Sequence, residues 1–595
     1  MNLKQTLSSL FTYTPKETYD FVLLENENTD EQTDKSDNKS EPQKSVENKN
    51  IFPALSVNLE FVKSKYNSMI NSDIIIREFT INARGKQYSA FLLYIDGMID
   101  TDIMNRFIIE PLMVRNQNNL YTGDQNRVIS EAVTNNITVR KVKKFNLPEY
   151  IMGCLMPQNT VEQSNEFSKI FNDVNSGNCA LFIDTLNIAF DIEVKGFEKR
   201  SIEKPENEIV IKGSHEAFVE NIRTNTSLLR RNVHNENLVI ENISIGEITK
   251  TSCALCYVHT IANSDLVSEI RYRLNNLQVD SMISSGQLEQ LIVDSNLLAI
   301  PQVLSTERPD KATSYLLDGR VVLIVNGSPY ALVLPAVFTD FLASPDDKNM
   351  KTAFSNFIKG IRILAAAITL LLPGFYVAIS SFHAEILPTD LLYSIIASRE
   401  NVPFPVILEI LILEISFELI REAGLRVPAP IGPTIGIVGA LVLGQAAVSA
   451  GIVSPILIIV VAITGIASFA IPDFSFGFHL RLYRFLFIFL GYCCGVLGIG
   501  LGLFAYISIL CDTKSFGVPY TAGISASENT KGHSYFLKPI WKRDTRSNYL
   551  DPKKVRKQDK ISMKWKYPHL KEEDIKWQIL KSPQSKQLWW FWLFL

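Results

Sequence analysis

Long apolar runs occur only in the second half of the chain, whereas the first half alternates between short apolar and polar segments. A helix needs roughly 20 consecutive, mostly apolar residues to cross a bilayer. The segments that approach or exceed this length are 357–382, 431–451, 452–472 and 485–510. The pattern therefore predicts an integral membrane protein in which a large soluble region precedes about four spanning helices.

The soluble region shows the mixed strand and helix pattern of an α/β fold. Apolar residues at 89–95 predict a buried strand, and 179–194 predicts two strands separated by a turn. Further along, 238–260 alternates like a pair of strands, and helical spacing follows at 266–277. A hairpin with Asn326 in its turn comes next. We therefore expect two soluble α/β subdomains.

Shifts in composition mark the boundaries between these regions. Residues 25–50 contain Val46 as their only large apolar residue, so this segment cannot bury enough surface to offset the entropy of ordering. The predicted organisation is an N-terminal segment with a disordered polar linker at 1–50, α/β subdomains at 51–195 and 205–345, a helical transmembrane domain at 354–511 and a basic cytoplasmic tail at 512–595.

An acidic segment at 403–426 lies between the first two predicted spans. At about 100° per residue, Glu409 lies on a different helix face from the other charged residues. One interpretation is an interfacial or bundle-packed amphipathic helix whose charges are solvated or paired. The other is that intramembrane carboxylates mark an ion path. The candidate pore or gating residues are Glu409, Glu414, Glu418, Arg421 and Glu422.

No group of residues predicts a catalytic centre, a cofactor site or a metal site. Cys253 and Cys256 form a CxxC motif, but positions i and i+3 of a strand point to opposite faces, which disfavours a metal or redox pair. Glycines at four-residue spacing in apolar segments instead let membrane helices approach closely. These helix-packing candidates are Gly432, Gly436, Gly491, Gly495, Gly498 and Gly502.

Charge and cysteine content limit the compartment and the partners. A formal net charge of −3 gives no argument for nucleic-acid binding, which would need a concentrated basic face. The N-terminus lacks the apolar run of a secretory signal, so we expect the soluble region to remain cytoplasmic. The seven cysteines form no repeated framework, in agreement with a reducing compartment.

The expected topology has four spans, with the soluble region and the basic tail on the same cytoplasmic side. In this topology 403–426 does not span the membrane. Basic residues at 553–560 favour contact with an anionic leaflet, and the aromatic end at 588–595 is typical of an interfacial anchor.

Four stretches of the chain carry a family resemblance. Residues 211–231 read IKGSHEAFVENIRTNTSLLRR, 301–335 include the string STERPD, 403–455 join the acidic segment to a run rich in Gly and Pro, and 515–520 read SFGVPY. In this order, these strings resemble the A subunit of bacterial spore germinant receptors, the GerA family. The resemblance extends from residue 51 to residue 520 and does not include the basic tail.

The resemblance implies a non-enzymatic, multi-pass protein of the spore inner membrane that triggers germination as a subunit of a nutrient receptor. Its relatives act with a transporter-like B subunit and a lipoprotein C subunit, and form an oligomer that conducts cations. STERPD fits an inter-subunit loop or an ordinary turn with an Arg–Glu pair. The candidates for inter-subunit contact or signalling are Arg223, Asn225, Arg230, Arg231, Glu307, Arg308 and Asp310.

Other functions remain open at this point. A paralogous A-type subunit that supports ion or dipicolinate release would share most of these strings. A secondary transporter would also use intramembrane carboxylates and helix-breaking prolines, although no inverted repeat is visible. A scaffold that only recruits partners is a third possibility, and the acidic helix argues against it.

Overall fold

The computed structural model describes residues 23, 50–83, 86–113, 146–158, 160–196, 205–295, 299–400, 402–426, 442–524, 535–540 and 543–557. Within them, two five-stranded sheets precede a group of apolar helices. The predicted α/β soluble region followed by a helical membrane region is therefore confirmed. The predicted linker at 25–49 and the aromatic anchor at 588–595 lie outside the described residues.

The first subdomain is an antiparallel sheet covered on both faces. Its strands are β1 (Ile74–Ala83), β2 (Lys86–Ile95), β3 (Val161–Ser164), β4 (Cys179–Ile183) and β5 (Ala189–Ile192), in the order β1-β2-β4-β5-β3. Helices α1 (Leu55–Lys65) and α2 (Phe167–Asn175) cover one face. The other face is covered by short helical turns at Thr101–Met104, Asn105–Ile109, Glu110–Met113, Leu147–Tyr150 and Ile151–Leu155.

The second subdomain repeats this strand order. Its strands are β6 (Leu238–Ile245), β7 (Thr251–Val258), β8 (Leu304–Thr306), β9 (Val321–Val325) and β10 (Ala331–Leu334), in the order β6-β7-β9-β10-β8. Its helices are α3 (Ile222–Asn232), α4 (Ser264–Asn275), α5 (Ser285–Ile292) and α6 (Pro309–Asp318). Counted within each subdomain, both sheets place the strands in the order first, second, fourth, fifth, third. The two subdomains are therefore a structural repeat.

Local predictions in this subdomain hold. The hairpin of β9 and β10 turns at Asn326, and the segment at 238–260 forms the strand pair β6 and β7. Cys253 and Cys256 lie on opposite faces of β7, in two different hydrophobic clusters. Because burial raises the pKa of the Cys253 thiol to about 12, this cysteine is an inert core residue.

Apolar helices form a bundle after the second sheet. They are α7 (Thr352–Phe382), α8 (Thr389–Arg399), α9 (Val406–Arg426), α10 (Pro455–Phe469) and α11 (Phe474–Asp512). Two of them, α7 and α11, are long and apolar enough to cross a membrane. Of the other predicted spans, 452–472 contains α10 with 15 residues, fewer than the roughly 20 of a full crossing, and 431–451 lies mainly outside the described residues.

Helix α11 is a helical hairpin and not a single rod. Gly495 has φ 61° and ψ −145°, which is not helical. His479 Nε2 lies 2.9 Å from Tyr506 Oη, although 27 helical residues would separate them by about 40 Å in a straight helix. The chain therefore reverses at Gly495 into two antiparallel arms. The prediction of one span at 485–510 is wrong, because a run of apolar residues does not reveal a reversal at a glycine within it.

The bundle has two ends, which we call proximal and distal. At the proximal end, Phe476 near the start of α11 stacks on Phe341 and packs edge-to-face with Phe338; both follow the second sheet. At the distal end, the Gly495 turn contacts Phe382 and His383 at the end of α7. Both arms of α11 therefore end beside the second subdomain.

The described part of the tail packs on the second subdomain. Lys557 pairs with Asp318, Arg546 Nε donates to the Leu317 carbonyl at 2.7 Å, and Lys553 Nζ donates to the His259 carbonyl at 3.2 Å. These basic groups are thus engaged within the chain. Lys554 and Arg556 of the basic segment are exposed, and its contact with an anionic leaflet stays a prediction.

Candidate functional site: a buried arginine–glutamate cluster

A cluster of charged side chains lies inside the helix bundle, between α9 and the first arm of α11. Arg484 Nη2 lies 2.8 Å from Glu414 Oε2 and 3.0 Å from Glu418 Oε1. The side chains of Arg484 and Glu414 are both fully buried. Arg484 is ten residues from Phe474 and ten from Cys494, so it lies midway along this arm.

Two further arginines complete this cluster. Arg421 Nη1 lies 3.2 Å from Glu418 Oε1, and its Nη2 donates to Ser468 Oγ on α10 at 2.7 Å. Arg481 Nη1 lies 3.4 Å from Glu418 Oε2. The spacing of four residues on α9 places both carboxylates toward α11, where Arg481 and Arg484 lie one turn apart. We call these five residues the proximal cluster: Glu414, Glu418, Arg421, Arg481 and Arg484.

Glu409 belongs to a second charged group. Its side chain is 1% exposed; Oε1 accepts from Arg399 Nε at 3.3 Å, and Oε2 accepts from the Ser454 amide at 3.1 Å. We call Arg399, Glu409 and Ser454 the distal cluster. The separation of Glu409 from the other carboxylates, expected from helical spacing, is present in the structure. One side of α9 packs in the bundle, while Leu408, Ile412, Ile415 and Leu419 on α9 are exposed.

An apolar layer separates the two clusters. Ile410 and Leu413 lie between Glu409 and Glu414 along α9, and both pack in one hydrophobic cluster with Leu457 of α10 and Ile488 of α11. A layer of this kind excludes water and ions. Among the described residues, the two charged clusters are therefore not joined into a continuous polar path through the bundle.

Helix packing supports this arrangement through close glycine contacts. A Cβ added at Gly491 would lie 2.6 Å from the Gly374 carbonyl oxygen of α7, so α7 and α11 touch backbone to backbone. Gly498 and Gly502 face Leu490 across the α11 hairpin. Gly432 and Gly436 lie outside the described residues. Glu422, the remaining pore candidate, is exposed near the end of α9.

The soluble candidates on α3 hold the two subdomains together. Arg230 is 2% exposed; its Nε and Nη2 donate to the Asp73 carboxylate at 2.7 and 2.8 Å, and Nη2 also donates to Asn71 Oδ1 at 3.2 Å. Arg223 pairs with Asp96 of the first subdomain. Asn71 also accepts from the amide of Ile240 on β6 at 3.0 Å. These contacts join subdomains within one chain.

The remaining candidates fix the segment that leads into α3. Arg231 pairs with Glu216 at 3.1 Å. Asn225 accepts from the Val219 amide at 2.8 Å. Arg308 is fully buried and pairs with Asp310 at 2.7 Å, not with Glu307, so the Arg–Glu pair considered from the sequence is absent from this turn.

Glu307 accepts hydrogen bonds from Tyr330 Oη at 2.6 Å and from Asn207 Nδ2 at 2.6 Å. Burial alone would raise its pKa, but these bonds hold the pKa of Glu307 below its ordinary value. The charged form of this carboxylate is therefore the one that the fold retains.

Arg481 and Arg484 are the site residues that sequence reasoning did not assign. Their signal was visible, since they are two arginines at three-residue spacing inside an apolar segment. Intramembrane ionisable residues usually pair with one another, so each carboxylate of α9 required a cationic partner on another helix.

Comparisons with known proteins identify the family of this chain. The family model "Bacillus/Clostridium GerA spore germination protein" matches residues 60–549 and so extends beyond residue 520, where the sequence resemblance ended. Spore germination protein KA of Bacillus subtilis (strain 168) is 36% identical over 513 residues, 86% of this chain and 88% of that protein. Spore germination protein A1 of the same organism is 40% identical over 364 residues, 61% and 76% of the two chains.

A solved structure was also found. The N-terminal domain of the A subunit of the Bacillus megaterium spore germinant receptor GerK3 is 29% identical, with a TM-score of 0.34, and the match covers 49% of this chain and 98% of that one. The family model covers most of the chain and several relatives exceed 30% identity over most of their length. This chain belongs to the GerA family of spore germination proteins.

Proposed function

We propose that this chain is the A subunit of a nutrient germinant receptor in the spore inner membrane, that it has no catalytic role, and that it forms an oligomeric cation channel. Its partners would be a B subunit and a C subunit of the same receptor, with the soluble region on the spore-core side. Membership of the GerA family supports the germination role. The observation that carries the channel proposal is the proximal cluster, midway along the bundle.

The proximal cluster would act as the lock of a closed channel. Arg484 pairs with Glu414, while Arg421, Arg481 and Arg484 together pair with Glu418, and the apolar layer above them excludes ions. Carboxylates attract cations only when they are free of such partners and face water. Separation of α11 from α9 would therefore expose the carboxylates to the path and open the apolar layer at the same time.

The path would then be tuned by Glu409, Glu414 and Glu418, the carboxylates of α9. In this proposal Arg421 belongs to the lock, and the exposed Glu422, near the end of α9, belongs to the mouth of the path. The tail and the second subdomain contact each other, so they lie on the same side of the membrane in this proposal. A chain that enters and leaves the bundle on the same side crosses the membrane an even number of times.

The decisive experiment measures basal potassium efflux from liposomes that contain the full chain with its B and C subunits. Arg484→Gln should raise efflux without any germinant, because Glu414 loses its arginine partner and Glu418 keeps only Arg421 and Arg481. Glu414→Gln combined with Arg484→Gln should conduct less than Arg484→Gln alone, because one carboxylate is lost. Glu400→Gln, an exposed carboxylate at the end of α8, is the control and should leave efflux unchanged.

A charge swap guards against simple misfolding. Glu414→Arg with Arg484→Glu restores an ion pair with reversed polarity. Because Arg421 and Arg481 still pair with Glu418, the swap should return efflux to the low basal level. If Arg484→Gln assembles with both partners and remains as silent as the parent protein, the lock is not at this cluster and the channel proposal loses its structural support.

A further inference from the structure

The first subdomain contains a group of buried oxygen atoms that face no donor. Asp191 lies on β5 and Asn178 lies just before β4, and they are 7% and 8% exposed. Asn178 Nδ2 donates to Asp191 Oδ2 at 2.7 Å. Asp173, near the end of α2, is brought to the same place by the turn at Gly177, and the Asn178 amide donates to the Asp173 carbonyl at 3.1 Å.

Three acceptor atoms in this group are buried without a hydrogen-bond partner: Asp173 Oδ2, Asn178 Oδ1 and Asp191 Oδ1. Buried polar atoms in folded proteins almost always have a partner. The nearby cations are engaged elsewhere, since Lys169 pairs with Glu162 at 2.6 Å and Lys195 lies 3.7 Å from Glu193. These oxygens therefore call for a cationic or proton-donating ligand.

A shared proton does not satisfy this group. One proton shared between two carboxyl groups provides a single hydrogen-bond donor, whereas each of the three oxygens needs a donor of its own. The orphaned amide nitrogen of Asn175 does not serve them, because Asn175 is two helical positions after Asp173, about 200° around the axis, and its Oδ1 faces Tyr66. A cation, unlike a proton, can be shared by several oxygen ligands.

We propose that Asp173, Asn178 and Asp191 bind one hard divalent cation, Ca²⁺ or Mg²⁺, through these three oxygens. Carboxylate and amide oxygens are the ligands that both ions prefer, and water can complete the coordination shell. No group of three or more His, Cys, Asp or Glu side chains fits a metal among the residues described, so the site would contain two carboxylates and one amide.

The electrostatics of the group agree with a bound cation. Burial, and to a smaller extent the charge of Asp173, raises the pKa of Asp191 to about 6. Burial likewise raises the pKa of Asp173. A divalent cation removes this repulsion and restores the ionised form of both carboxyl groups. The ion would link the end of α2 to the inner strands β4 and β5 of the first sheet.

The test uses the full chain in detergent micelles and equilibrium dialysis against radioactive Ca²⁺, with Mg²⁺ as competitor. We expect a specific Ca²⁺ or Mg²⁺ site that is weakened at least about tenfold by Asp191→Asn and by Asp173→Asn. Glu60→Gln removes an exposed carboxylate from α1 and should leave the affinity unchanged.

Two outcomes would overturn the site. One is that the parent protein binds neither ion at concentrations up to about 1 mM, the weak end of protein calcium sites. The other is that both Asn variants, shown to be folded by circular dichroism, bind as tightly as the parent protein. Asp173 is only half-buried, so its variant retains the core even where Asp191→Asn perturbs the sheet.

Discussion

Two buried arginines in this protein meet carboxylates in contrasting ways. Arg230, between the soluble subdomains, donates from Nε, Nη1 and Nη2 to Asp73, Asn235 and Asn71. Arg484, inside the helix bundle, lies within ion-pair distance of two glutamates, yet its Nε and Nη1 have no hydrogen-bond partner. Both arginines are almost completely buried.

The difference separates a permanent contact from one suited to change. An arginine whose N–H groups are all satisfied holds one geometry, because any displacement breaks several bonds together. An arginine with unsatisfied N–H groups in an apolar setting is held less specifically, so moving it to a second conformation costs less free energy. We infer that Arg230 fixes the soluble region as one body, whereas Arg484 marks a joint within the bundle.

The largest expected effect is at Arg230, the buried arginine between the soluble subdomains. Arg230→Ala should lower the free energy of unfolding of the subdomain contact by about 3–5 kcal/mol, because it leaves Asp73 as an uncompensated buried charge. Arg223→Ala removes a half-exposed pair with Asp96 and should cost less than about 1 kcal/mol. Urea melts of both variants measure the difference, and equal losses would remove the distinction between a fixed contact and a surface pair.

Charge reversal provides the next test of the comparison. At the soluble site, Arg230→Asp with Asp73→Arg should fail to restore stability, since Asn71 and Asn235 supply acceptors placed for an arginine at position 230 only. At the bundle site, the swap of Glu414 and Arg484 should restore a stable, silent assembly. Recovery at both sites, measured by thermal melting of the full chain, would show that the two arginines are held equally loosely.

Glycine packing tests whether the bundle is held by charge or by close backbone contact. Gly491→Ala places a methyl group against the Gly374 carbonyl and should destabilise the packing of α7 on α11 by about 1–3 kcal/mol. Gly500→Ala has open space around it and serves as the matched control. Thermal melting in detergent compares the two. A neutral Gly491→Ala would mean that the ion pairs, and not the glycines, set the distance between these helices.

The smallest expected effect concerns a carboxylate held by hydrogen bonds. The pKa of Glu307 is lowered in the folded state, so its contribution to stability is present above the unfolded value near 4.3 and is lost as the pH falls through the lower folded value. Tyr330→Phe should reduce that contribution by about 1 kcal/mol at pH 7. Tyr393→Phe, at an exposed tyrosine, should not. Chemical melts at pH 7 and pH 3 measure the free energy of unfolding of both variants. If Tyr330→Phe loses as much stability between pH 7 and pH 3 as the parent protein, Tyr330 does not stabilise the charged form of Glu307.

The strands and several helices could be predicted because each depends on residues within a few positions of one another along the chain. The hairpin at Asn326 and the strand pair β6 and β7 follow from alternation and turn residues within a few positions. The common strand order of the two sheets was not visible, because it depends on which distant strands pair. The order leaves no short-range periodicity in either subdomain.

The site was predicted only in half. Helical spacing separated Glu409 from Glu414, but it gave no information on which helix would face either residue. The partners Arg399 and Arg484 lie 10 and 70 positions away along the chain, and the reversal at Gly495 decides where the second arm of α11 lies. A positive φ at a glycine within an apolar run is a property of the folded backbone, and apolar residues continue on both sides of it.

The reversal at Gly495 also determines how force can pass through the molecule. Helix α7 enters, and the second arm of α11 leaves, beside the same soluble body, while the Gly495 turn is at the opposite end. A rotation of the second subdomain would displace both attached ends together, with the contact of Gly374 and Gly491 as the fulcrum. A small tilt at the soluble end would then move the distal end of α11 in the opposite direction about this contact.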